Sequence, residues 1–169
     1  FWRGLGVGIQ KNSAQDFEFF WPAIVTESDG HRKLFDTAID TWSKNKFWGN
    51  GLKSFRIDCK IFQDHTVDRL CSNHPHNYYI QMLAETGILG FATGVFMICT
   101  IIWTLFRAGC ANRQNIVAAT AFIVPLGLFF PLQSTADFFG QWNNIFMWSA
   151  VALSMASVYL LPTQNQSYK

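Results

Sequence analysis

The chain has 169 residues, half of them hydrophobic and only 14% charged, against about 25% charge in an ordinary globular domain. Its net charge is +2, and no basic stripe with interleaved aromatics occurs, which argues against a nucleic-acid partner. The charge is segregated: beyond Gly87 only Arg107, Arg113, Asp137 and Lys169 carry it, so a polar head precedes a membrane part.

The chain opens Phe1-Trp2-Arg3, with no Met and no signal-peptide pattern, so further sequence is expected upstream. Gly4, Gly6 and Gly8 read as a flexible connection, since no strand precedes them and no helix pattern follows. Phe17, Phe19, Phe20, Trp21 and Pro22 form an aromatic knot, suited either to packing or to a membrane surface. Ser28-Asp29-Gly30 is a helix start. The helix is expected over 31–46, with Leu34, Phe35, Ala38, Ile39 and Trp42 on one face. Arg32 lies in its first turn, where a cation opposes the helix dipole. It gains little there from its own helix, so an anionic partner is one reading and a solvated side chain the other. Gly49-Asn50-Gly51 is a turn. A second helix is expected over 52–62, with Phe55, Cys59 and Phe62 on one side and Arg56 near the other. If the head faces an oxidising compartment, Cys59 and Cys71 can pair across a short loop.

Pro75 suits the first turn of a further helix, with Asn73 or His74 as its cap. Ile80, Leu83, Gly87, Ile88 and Phe91 continue at helical spacing, so this helix is expected to run unbroken into the membrane. His74 and His76 would then sit at its N-terminus, just outside the bilayer. Apolar runs of span length follow at 88–106, 114–135 and 145–161, the second interrupted by Pro125 and Pro131. Those prolines call for neighbouring helices or water to satisfy freed carbonyls, which suggests a bundle larger than three helices. Arg107 and Arg113 between the first two runs, with no base between the second and third, place the head on the outer face. Gly90 and Gly94 allow close helix contact. The expected class is all-α: a polytopic helical membrane protein with a helical extracytoplasmic head (1–86), three spans (87–162) and a cytoplasmic tail (163–169).

The run His76-Asn77-Tyr78-Tyr79-Ile80-Gln81-Met82-Leu83-Ala84-Glu85-Thr86-Gly87-Ile88-Leu89-Gly90 resembles the signature of the O-antigen ligase and O-antigen polymerase superfamily. That signature is His-Asn at a helix start, then Glu-x-Gly-x-x-Gly leading into a span. Arg32, the Gly49-x-Gly51 turn and Arg56 resemble the family's large periplasmic loop, and Phe130-Pro131 with Phe138 to Trp142 resembles its C-terminal end. The resemblance covers nearly all of the chain, as the last loop and final spans of a larger architecture.

The resemblance implies a bacterial inner-membrane glycosyltransferase of lipopolysaccharide or polysaccharide biosynthesis. It would move a glycan from an undecaprenyl-diphosphate carrier to lipid A core (a ligase) or to another glycan (a polymerase), on the periplasmic side. Arg32 and Arg56 would hold the diphosphate. His76 would be the general base, His74 an assistant or a cap, and Asn77 would orient the imidazole. No cofactor is needed if the arginines supply the electrostatics. Two other classes remain open. His74-x-His76, with Asp64, His65, Asp68 and Cys71 nearby, has metal-ligand spacing for a hydrolase, although Pro75 is expected to splay the two rings. A transport or assembly subunit is the non-enzymatic reading, disfavoured by spans almost free of ionisable groups.

Overall fold

The structure is a computed structural model that describes residues 29–61 and 69–160. The aromatic knot, the three early glycines, Ser28, Phe62, Asp64, His65 and Asp68 lie outside these. Among the described residues every regular element is helical: α1 (Asp29–Lys44), α2 (Phe55–Asp58) with a 3₁₀ turn Cys59–Ile61, α3 (Tyr78–Ala111), α4 (Ile116–Thr120), α5 (Ile123–Leu128) and α6 (Gln141–Tyr159). Among the described residues one helix, α3, is long and apolar enough to cross a membrane.

The apolar face of α1 buries Leu34, Phe35 and Ala38 against Phe55, Cys59, Ile80 and Ala84. Thr37 and Thr41 share that buried face. Their hydroxyls donate to the carbonyls one turn back, at Lys33 (2.7 Å) and Thr37 (2.8 Å), so neither leaves an unsatisfied polar group. The second helix is shorter than expected. Lys53 has φ +60°, which breaks helical geometry, so Leu52 stands in an exposed turn and α2 starts only at Phe55.

The unbroken helix into the membrane is corrected. Gly87 has φ +65° and ψ −172°, and α3 is two helices joined at that residue. A break strands the last carbonyls of one helix and the first amides of the next. The loop after α1 supplies partners to both. Ala84 O accepts from Asn50 N (3.4 Å) and Glu85 O from Gly51 N (2.9 Å), while Ile88 N donates to Lys46 O (2.9 Å) and Leu89 N to Phe47 O (3.4 Å). The bend is sharp. A Cβ at Gly94 would come 2.7 Å from Met82 Sδ, although twelve residues of straight helix would separate the two by about 18 Å. Residues 78–86 therefore fold back beside the first turns of 88–111. Gly90 likewise makes room for Thr86.

Two further clusters hold the apolar part. Tyr78, Met82, Ile98, Phe129, Phe138, Met147 and Val151 form one, and Leu105, Ala118, Ala121 and Val158 the other. The expected second run is not one helix. It divides into α4 and α5, and it ends before Pro131. The third starts earlier than expected, at Gln141.

Candidate functional site

The site gathers where the loop before α3 meets the first turn of α1 and the loop before α6. Asn77 caps α3: its side-chain oxygen accepts from Tyr79 N (3.0 Å) and Ile80 N (3.2 Å). Its amide donates to Pro131 O (2.8 Å). Both ends of that side chain are thereby used, so Asn77 positions the loop and not the imidazole. The cap is Asn77, not Asn73 or His74.

His76 directly precedes the cap and has φ +58°, a conformation that costs a β-carbon residue about 1–2 kcal/mol. Thr135 N holds it there by donating to His76 O (2.8 Å). The turn swings the ring back onto its neighbours. The ring centroids of His74 and His76 are 4.3 Å apart, and those of His31 and His76 are 5.9 Å apart. The expected splaying across Pro75 does not occur. Burial lowers the His76 pKa below the ordinary 6.5, and the neighbouring His74 and His31 lower it further, against an opposing hydrogen bond with the Thr135 backbone. The ring is therefore neutral near pH 7 and partly open to solvent. His74 Nε2 and Thr135 Oγ1 are buried beside it without a hydrogen-bond partner among the described residues. Unsatisfied groups of that kind cost about 1–3 kcal/mol each.

The two arginines lie on different helices, α1 and α2. Arg32 is exposed on α1 beside His31, with a long contact to Asp36 (3.9 Å). Its own helix thus does supply an anion, one already engaged by Arg69 Nη1 (3.4 Å). Arg56 lines a cavity of about 570 Å³ with Ile57, Lys60, Cys71, Ser72 and Asn73. Cys59 and Cys71 are joined in a disulfide across a separation of 12 residues. That link fixes the segment which leads through Asn73 to the histidines. Cys71 is therefore not available as a metal ligand, and among the described residues no three His, Cys, Asp or Glu are grouped to hold a metal.

Several positioning residues escape the sequence reading. Gln81 is buried. Its amide nitrogen donates to Asp137 Oδ1 (2.6 Å) and Glu85 Oε1 (3.3 Å), while its oxygen accepts from Phe138 N (2.9 Å). Glu85 in turn accepts from Lys53 N (2.6 Å). Tyr79 donates to Phe129 O (2.5 Å). Arg69 reaches Asp40 (2.7 Å) and ties the histidine loop to α1. The available signal was the Gln81–Glu85 pair, one turn apart on an otherwise apolar helix face. His31 joins the site through its ring, and its position in the first turn of α1 gave no sign of that. No family model, curated protein or solved structure matches the chain.

Proposed function

We propose that the chain carries the catalytic head of a multi-span glycosyltransferase that uses an undecaprenyl-diphosphate-linked glycan. It would act at the periplasmic face of a bacterial inner membrane, as O-antigen ligases do. The observation that carries this reading is His76, a non-glycine residue held in left-handed backbone geometry, whose half-buried imidazole packs against His74 and His31 and has its pKa lowered. Such strain persists only where the surroundings impose it, and it concentrates at functional sites. A neutral histidine is suited to take a proton near pH 7.

In the proposed step, an acceptor hydroxyl oxygen attacks the anomeric carbon of the donor sugar. The carbon–oxygen bond to the diphosphate breaks, and undecaprenyl diphosphate leaves with the electron pair. The hydroxyl proton passes to His76. Arg32, exposed next to His31, and Arg56 in its cavity are the candidate cations for the leaving diphosphate. Helix α3 supports membrane attachment; the multi-pass topology and the orientation belong to the proposal.

The test is glycan transfer by the full-length protein in cells lacking their own ligase, with wild type beside His76→Ala. Glycan joined to lipid A core by wild type alone supports a ligase. Lengthened lipid-linked chains identify a polymerase. No change in either product, with the protein inserted, removes the enzymatic reading in favour of transport or assembly.

A further inference from the structure

The stretch from Lys46 to Ile61 has an unusual surface. Phe47, Trp48, Leu52, Ile57 and Ile61 are each 65–75% exposed, whereas most other large apolar side chains among the described residues of the head are buried. Large exposed apolar patches mark interaction surfaces. Basic residues are interleaved with them: Lys46, Lys53, Arg56 and Lys60, against a single acid, Asp58. Arg56, Ile57 and Lys60 line the same cavity, so cations and apolar groups share one side of α2. A protein partner would have to bury those charges, which is costly unless each is matched. A lipid headgroup layer accepts both kinds of side chain at once, with apolar groups inward and basic ends at the phosphates.

The backbone sets the height of this stretch. Lys46 O and Phe47 O accept from Ile88 N and Leu89 N, the first two amides after the break in α3. The uncharged run 88–106 has 19 residues. At 1.5 Å per residue it rises about 28 Å, close to the whole hydrocarbon thickness of about 30 Å. Without drawing Arg107 into the bilayer, that run has little slack, so its outer boundary falls near Ile88. Lys46 and Phe47 are hydrogen-bonded onto that boundary, and Trp48 follows directly in the chain, at the level where aromatic side chains concentrate.

We infer that residues 46–61 form a lipid-contacting surface that seats the head in the anionic outer-leaflet headgroup layer, with Phe47 and Trp48 at its apolar edge. This rests on the membrane reading of α3. It goes beyond the proposed chemistry, because it makes the bilayer surface a binding partner of the head.

The experiment is depth-dependent fluorescence quenching of the full chain, reconstituted in phosphatidylethanolamine–phosphatidylglycerol vesicles. The vesicles carry lipids brominated either near the headgroup or deep in the acyl chain. Subtracting Trp48→Phe from wild type isolates Trp48, and subtracting Trp103→Phe isolates Trp103 on α3. The expected result is that shallow bromines remove about half of the Trp48 signal while Trp103 is also quenched. Quenching of Trp103 with none of Trp48 overturns the lipid-contacting surface and leaves the span intact. Quenching of neither overturns the membrane reading and this inference together. A second arm replaces phosphatidylglycerol with a zwitterionic lipid: shallow quenching of Trp48 should weaken, and an unchanged signal would remove the role assigned to the four cations.

Discussion

Gly49 and Gly87 occupy each other's side-chain space. A Cβ on Gly49 would overlap Gly87 N and Glu85 O, and a Cβ on Gly87 would overlap Gly49 N and Phe47 O. Both have positive φ. The Gly-x-Gly turn and the Glu-x-Gly segment are therefore two halves of one contact, made where α3 breaks and the loop after α1 fills the gap.

Replacing either glycine should be strongly destabilising. Gly87 lies in a backbone region open essentially to glycine alone, so alanine adds strain of about 1–3 kcal/mol before any overlap is counted. With the overlap, Gly87→Ala and Gly49→Ala should each cost more than about 3 kcal/mol and lower the melting temperature in detergent by many degrees. Gly127→Ala is the control, since no atom lies within 4 Å of its added carbon. A Gly87→Ala protein that melts with the control would mean the chain reaches the membrane by another path.

Asn77 makes its contribution in two separable parts. Its oxygen caps α3 and its nitrogen ties Pro131 O to the site. Asn77→Ala removes both and should cost about 2–4 kcal/mol, as a lost cap plus a stranded carbonyl. Asn77→Asp keeps the cap but turns an oxygen toward Pro131 O, so it should lose only the second part, about 1–3 kcal/mol. Thermal melts of the two variants side by side decide this. If Asn77→Asp melts like wild type, the Pro131 contact has no energetic weight.

How far the sequence reveals this fold depends on whether a feature is local. The face of α1 was readable because Leu34, Phe35 and Ala38 repeat at helical spacing and do pack inward. The start of α3 was readable to within three residues, since Pro75 and Asn77 are local signals. The break at Gly87 was not, because glycine inside an apolar helical pattern reads as tolerated. Its conformation is imposed by Lys46 and Phe47, some forty residues earlier in the chain. The His74–His76 contact was misjudged for a related reason: spacing across a proline carries no information about a left-handed φ at the next residue. The Gln81–Asp137 bond joins segments that no periodicity connects. Arg56 was readable as a cation away from the apolar side of its helix, but the cavity it shares with Cys71 and Asn73 was not.

The disulfide should matter to both stability and the Arg56 cavity. Closing a loop of this size stabilises by about 3 kcal/mol in the chain-entropy model, and Cys71 is itself a lining residue. Reduction, or the pair Cys59→Ser and Cys71→Ser, should lower the melting temperature by several degrees. If the proposed function holds, it should also raise the apparent KM for the proposed lipid-linked donor more than it lowers kcat, because Arg56 loses its fixed surroundings while His76 keeps its clamp to Thr135. An unchanged KM alongside a lowered melting temperature would detach that cavity from donor binding.

His76 offers a variant that separates backbone from chemistry. Asparagine tolerates left-handed φ better than most residues, so His76→Asn should melt close to wild type while transfer falls about 100-fold or more. The pH dependence has a fixed sign. The folded pKa lies below the unfolded value of 6.5, so the unfolded chain binds the proton more readily. Stability is then unaffected by this group well above pH 6.5, and it decreases as pH falls from 6.5 through the lowered folded value. Transfer should follow a related course: flat at and above pH 7, then dropping about tenfold per pH unit once the imidazole is protonated. The acid limb should lie below 6.5 and shift upward in His74→Gln, since a neighbour that opposes protonation has been removed. A limb above pH 7, or one that stays in place in His74→Gln, would assign the titrating base to another residue.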